Sequence, residues 1–240
     1  MQNLLIIEDD IIQSHFIVNH ICKEISNIRL YNIAATGKEA INIIKEQKVD
    51  IIILDLKLPD MYGIDILNYI LENNIIKYVN SVIVITGEMY LISKIVRNKL
   101  IFNYHSKIDE ISLIINDIKE LVLKKEKEYN IDIINKKIQK ELYKLNYNFS
   151  YIGTKYLCEI IYECHKPNNI YNINLNKEVY PIISKKYNKT INSIKCSIFK
   201  ATYLMYYDIN ESKLTEYFGY KITSKPKTKD IIYRILEKIK

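Results

Sequence analysis

Through the first half of the chain, short apolar runs alternate with stretches of helical spacing. Leu4–Ile7 is the first run, and a helix-like pattern follows over Ile11–Ile25. Leu30–Ala34, Asp50–Leu54, Ser81–Ile85 and Leu100–Tyr104 read as further strands. Lys38–Lys45, Ile64–Leu71 and Met89–Arg97 read as the helices between them, and Asp109–Leu123 closes the series. Strands covered on both faces are continuously apolar, as Ile51–Leu54 and Val82–Ile85 are. This succession predicts a five-stranded parallel sheet wound on both faces by helices, with a crevice beyond the carboxyl ends of the strands.

Past residue 123 the pattern changes. LKKEKEYN (123–130) is charged, and residues 124–130 read as a linker between a domain at 1–123 and another at 131–240. The second domain shows helical periodicity only. Ile131, Ile134, Ile138, Leu142 and Leu145 share one face. Tyr151–Cys164 and Glu178–Tyr187 read as helices, Asn188-Lys189 as a turn, and Ile191–Tyr207 as a helix capped by Thr190. A last helix covers Asp230–Lys238, with Thr228 as its cap. Two helices joined by a tight turn predict an all-α domain with a helix-turn-helix.

Composition narrows the setting. Hydrophobic content of 48% and charged content of 26% describe a folded chain. No apolar run is long enough to cross a bilayer, and MQNLLIIEDD lacks the basic start of a signal peptide. The four cysteines lack paired spacing, so free thiols in a reducing, cytoplasmic setting are expected. The net charge of +7 conceals an asymmetry: residues 1–122 hold 12 basic and 16 acidic residues, and residues 123–240 hold 23 and 12. A basic second half points to a polyanion, usually nucleic acid, with a solvated lysine-rich surface as the alternative. Lys189, Thr190, Asn192, Ser193, Lys195, Cys196, Phe199 and Lys200 lie at or early on the second helix of the helix-turn-helix, the part that can enter a major groove. Ile194 and Ile198 face the core, and the loop SKPKTK offers Lys225, Lys227 and Lys229 to phosphates.

The chemistry of the first half sits at the strand ends. Strand one ends in Glu8-Asp9-Asp10 and strand three in Asp55; Asp10 reads as the cap of the first helix. Carboxylates gathered at one crevice repel unless a positive charge sits among them, and Mg2+ (or Mn2+ or Ca2+ in its place) suits oxygen ligands and phosphate. Thr86-Gly87 ends strand four, and Lys107 follows strand five as a mobile cation. Acid pair, central acid, hydroxyl and lysine make a phosphorylation site, with Asp55 as nucleophile and phosphoacceptor.

This constellation resembles the receiver domain of two-component response regulators, whose fold is flavodoxin-like. TGKEA (36–40) and LPDMYG (58–63) match as well. The resemblance implies that Glu8, Asp9, Asp55 and the backbone carbonyl of Lys57 hold the metal. It also implies that Thr86 and Tyr104 are the switch residues. Ile108 stands where the family usually has proline, so a trans bond is expected there. Lys57 and Glu88 are expected to pair across the site and slow loss of the phosphate.

In the second half, YPIISKKYNKTINSIKCSIFKA (180–201), YFGYKI (217–222), KPKTKDIIYRILEKI (225–239) and TKYLCEII (154–161) resemble the effector domain of the sporulation master regulators, the stage-zero sporulation protein A family. That resemblance implies a DNA-binding module that dimerises on promoter DNA and controls sporulation-type genes. The family's reading helix is arginine-rich. Ser193, Cys196 and Phe199 stand here instead, so a moved or weakened base preference is expected.

The expected protein is a phosphorylation-activated transcriptional regulator, not an enzyme beyond its own phosphotransfer and dephosphorylation at Asp55. Its expected partners are promoter DNA, a histidine kinase or phosphotransfer protein, and a second copy of itself upon phosphorylation or on DNA, with no membrane. The rival readings are a phosphate-independent DNA binder and a signalling adaptor whose basic half binds protein.

Overall fold

A computed structural model of the chain describes residues 1–73, 75–166 and 173–239. The molecule divides into two compact units, Met1–Lys127 and Glu128–Lys240.

The first unit is a five-stranded parallel sheet in the order β2-β1-β3-β4-β5. Its strands are β1 (Gln2–Ile7), β2 (Ile28–Ala34), β3 (Val49–Leu54), β4 (Val79–Thr86) and β5 (Ile101–Ser106). Every residue of β3 is buried, which is why its sequence from Ile51 to Leu54 is apolar without a break instead of alternating. Helices α1 (Ile11–Glu24), α2 (Gly37–Glu46), α3 (Gly63–Glu72), α4 (Ile92–Ile95) and α5 (Ile111–Lys144) follow the strands in turn. Apolar side chains fill separate cores on the two sheet faces, one around Leu5, Ile52 and Val84 and one around Leu4, Ile53 and Ile115. The chain runs outward from β1 to β2 and returns past β1 to β3. The order therefore reverses between β1 and β3, where a crevice opens at the strand tips.

The structure differs from the sequence expectation in two elements here. The helix expected over Met89–Arg97 is a 3-10 turn, Met89–Leu91, followed by the single helical turn α4. One helix, α5, stands where two separated by a charged join were expected, and residues 124–130 lie within it. Lys and Glu favour helix, and no Gly or Pro interrupts that run.

The second unit is all helical around its own core. After the last part of α5 come α6 (Ile152–His165), α7 (Tyr180–Tyr187), α8 (Ile191–Asp208), α9 (Glu211–Phe218) and α10 (Thr228–Ile239). α9, absent from the sequence reading, is capped by Asn210 and ends at Gly219, whose φ of 80° suits glycine. α6 and α8 approach so closely at Gly153 that a Cβ there would overlap the Ser197 carbonyl oxygen. Two buried hydroxyls find partners across this core: Tyr147 with Thr202 Oγ1 at 2.9 Å, and Tyr217 with Glu141 Oε2 at 3.0 Å.

Candidate functional site

The crevice of the first unit is built by strand pairing. Ile7 pairs with Leu54, and the Asp55 amide donates to the Ile7 carbonyl at 2.9 Å, so the tips of β1 and β3 lie side by side. Glu8 and Asp55 follow directly and are 2% and 4% exposed. Asp9 is exposed, and Asp10 caps α1 by accepting from the Ile12 and Gln13 amides. Oxygens of Glu8, Asp9 and Asp55 lie within 4.8 Å of one another, a donor set suited to a hard divalent cation.

β5 delivers the counter-charge. The Lys107 amide donates to the Thr86 carbonyl at 3.1 Å, fixing the loop beside the tip of β4. From there Lys107 Nζ reaches Asp55 Oδ2 at 2.6 Å and Glu8 Oε1 at 2.8 Å. No peptide bond is cis among the described residues, so Lys107 reaches both acids with a trans bond before Ile108. Burial pushes the Glu8 carboxyl up, and its contact with Lys107 only partly offsets this. Burial alone would lower Lys107, but its hydrogen bonds to Asp55 and Glu8 outweigh that and raise it. The ammonium therefore remains charged among the acids.

The remaining residues expected at the site surround this cluster. Thr86 is fully buried, and its Oγ1 accepts from the Glu88 amide at 3.0 Å. The Lys57 amide donates to Asp55 Oδ1 at 3.2 Å. The Lys57 side chain pairs with Glu88 Oε1 at 3.0 Å, so the expected pair is present. Together with Asp9, Asp10, Asp55, Leu58, Pro59, Gly87 and Lys107, these two residues line a cleft of about 390 Å³. Tyr104 stands at the surface, 41% exposed.

Sequence reasoning missed two supports. Asp60, inside LPDMYG, accepts from the Gly37 and Lys38 amides at 2.7 and 3.0 Å and so ties the loop after β3 to the start of α2. Burial would raise its carboxyl, but these donors hold it below the usual range. The co-occurrence of TGKEA and LPDMYG was the available signal. His105 Nε2 lies 2.7 Å from Asp117 Oδ2 and ties β5 to α5; nothing local marked that pair. Gly63 permits the loop's close return, since a Cβ there would stand 2.6 Å from the Asp55 carbonyl oxygen.

In the second unit, α7 ends at Asn188 in the left-handed region with φ 48°. The Lys189 amide donates to the Ser184 carbonyl at 3.1 Å, and the Thr190 hydroxyl accepts from the Ser193 amide at 3.2 Å, starting α8. Ile194 and Ile198 are buried, as expected. Lys189, Thr190, Asn192, Ser193, Cys196, Phe199, Lys200 and Lys227 are exposed, while Lys195 and Lys225 are half-buried against the rings of Tyr180 and Phe199. Thr228, expected as a cap, is the first residue of α10.

A doubly wound parallel sheet with acids and a lysine converging at its switch point is the architecture of a response regulator receiver. The family model described as response regulator receiver domain matches residues 4–97. The model described as sporulation initiation factor Spo0A C terminal matches residues 138–239. The chain thus carries a response regulator receiver domain followed by a Spo0A C-terminal domain.

Among curated proteins, a 71-residue stretch is 37% identical to a protein-glutamate methylesterase/protein-glutamine glutaminase of Desulfotalea psychrophila, covering 29% of this chain and 20% of that protein. The chain thus spans about a fifth of the length of that relative. Among solved structures, a LuxR-family DNA-binding response regulator from Staphylococcus aureus is 23% identical with a TM-score of 0.45, over 51% of this chain and 99% of that one. The response regulatory domain of mrkE from Klebsiella pneumoniae is 21% identical with a TM-score of 0.48, over 52% and 99%.

Proposed function

We propose that this chain is a phosphorylation-activated transcriptional regulator, cytoplasmic, and devoted to sporulation-type gene expression. The observation that carries the reading is the convergence of Asp55, Glu8 and Lys107 in a chain whose other half is a Spo0A-type domain. In keeping with this, no helix is long and apolar enough to cross a membrane among the described residues.

In the proposed reaction, a histidine kinase or phosphotransfer protein presents a phosphoryl group. An Asp55 carboxylate oxygen attacks phosphorus, the new O–P bond forms, and the bond to the donor breaks with its electron pair leaving on the donor. Glu8, Asp9, Asp55 and the Lys57 carbonyl would hold Mg2+, which supplies charge neutralisation when bound. Lys107, already within contact distance of Asp55, follows the negative charge onto the phosphoryl oxygens. Thr86 turns its hydroxyl from the Glu88 amide to the same oxygens, and Tyr104 moves inward from the surface. This shift favours a dimer-competent receiver, and pairing two receivers raises the effective concentration of two basic domains on paired half-sites.

The test combines labelling and binding. A small-molecule phosphodonor with Mg2+ should label the wild-type chain once and leave Asp55→Ala unlabelled. Phosphorylated chain should bind duplex DNA more tightly than Asp55→Ala, with a steep salt dependence from phosphate contacts. Equal binding by both proteins would favour phosphate-independent recognition, and the absence of duplex binding would favour the adaptor.

A further inference from the structure

An α-helix advances about 100° per residue, so Asn192, Cys196, Phe199 and Tyr203 fall on one ridge of α8. Ile194, Ile198, Ala201 and Met205 form the buried side. The ridge is open to solvent: Cys196 is exposed, and Phe199 is 57% exposed. Phe199 lies roughly 10 Å along the axis from Asn192, and the major groove is about 12 Å wide. The stretch from Asn192 to Phe199 is therefore short enough to lie within the groove. The Phe199 ring is not loose. Lys225 Nζ lies 3.5 Å from its centroid, and Tyr203 stacks on it at 6.5 Å.

Guanine is read mainly by a two-pronged cation, most often arginine. Arg234 is the one arginine within residues 128–240, and it is already engaged. Its Nε donates to the Tyr217 carbonyl at 3.1 Å, and its Nη1 pairs with Glu237 at 3.1 Å. Lys195 Nζ lies over the Tyr180 ring at 5.0 Å. The ridge itself carries an amide, a thiol and a phenyl ring. An Asn amide matches the N6 and N7 edge of adenine, and apolar surface matches the 5-methyl group of thymine.

We infer that α8 is a reader of A·T pairs, with Asn192 on adenine and with Cys196 and Phe199 against thymine methyl groups. Lys189 and Lys200, both exposed, flank the ridge and hold phosphates, which positions the helix without choosing a sequence. The inference rests on the proposal that the basic unit binds duplex DNA.

The experiment uses the full chain and duplexes it selects from a random pool at fixed salt. Each selected duplex is then remade with deoxyuridine in place of thymine, which keeps base pairing and removes only the methyl. The selected cores should be A·T-rich. Uracil within the core should weaken binding about fourfold per contacted methyl, the equivalent of ~0.8 kcal/mol for one buried carbon group. Phe199→Ala, a change at an exposed position, should lose part of this difference and keep the wild-type salt slope. Phe199→Leu should retain the thymine preference. Equal wild-type affinity for thymine and uracil duplexes, or selection of G·C-rich cores, would overturn the inference. Failure of the chain to bind any duplex at low salt is a different outcome, one that removes the DNA-binding reading and this inference with it.

Discussion

Replacing Lys107 with alanine isolates the charge balance of the crevice. In the wild type its ammonium touches two buried carboxylates, at 2.6 Å and 2.8 Å. Removing one partner of a buried ion pair typically costs about 3–5 kcal/mol, because the remaining charge is left uncompensated. The Lys107 side chain is 25% exposed, so water screens part of the attraction. A loss of about 2–3 kcal/mol is therefore expected in metal-free buffer. For a unit of this size that lowers the melting temperature by roughly 10 °C. A divalent cation should reverse the loss. Binding to the native state alone adds about 2.7 kcal/mol when the free ion is a hundredfold above its Kd. The variant also lacks the ammonium that competes with the ion for the same oxygens, so Mg2+ should stabilise it more than the wild type. Calorimetry of both proteins, in EDTA and across a Mg2+ series, measures each shift. A variant as stable as the wild type in EDTA, or equal Mg2+ shifts in the two proteins, would refute the reasoning.

Lys57→Ala removes the pair with Glu88 at the cleft mouth and should shorten the lifetime of phosphorylated Asp55 several-fold; following loss of the label after removal of the phosphodonor gives the rate. Gly153→Ala should destabilise the second unit by about 1–3 kcal/mol, since the added methyl drives α6 off the Ser197 carbonyl. Its DNA affinity should fall as well, because α8 carries the proposed reading face. Asp60→Asn addresses pH. A carboxyl held below its ordinary value contributes stability above that value and loses it as pH falls through the folded pKa. Acid titration below about pH 4 should thus cost the wild type more stability than the variant.

Much of this protein was legible in one dimension because burial leaves a local trace. Ile51–Leu54 announced a central strand, and helical spacing marked most of the helices, with Thr190 and Asp10 announcing their caps. The placement of Thr86 at the end of a strand, and of Glu8, Asp55 and Lys107 each just after one, was enough to gather them, since parallel strands present their carboxyl ends on one side. The charged run at 123–130 holds the division between the two units but is helical, because solvent-facing Lys and Glu suit a join and a helix equally. α9 escaped the sequence reading although Asn210 before it and Gly219 after it are its start and stop signals.

Other features belong to the tertiary structure alone. Lys107 and Glu8 are 99 positions apart, and only closure of the sheet brings them to 2.8 Å. The tie from Asp60 to the start of α2, the His105–Asp117 contact, the close approach at Gly153 and the cation over Phe199 arise in the same way. The physical reason is one of range. Periodicity and capping are set by neighbours within a turn or two of chain. A contact between distant residues depends on how packed layers settle against one another, and no local pattern records that distance.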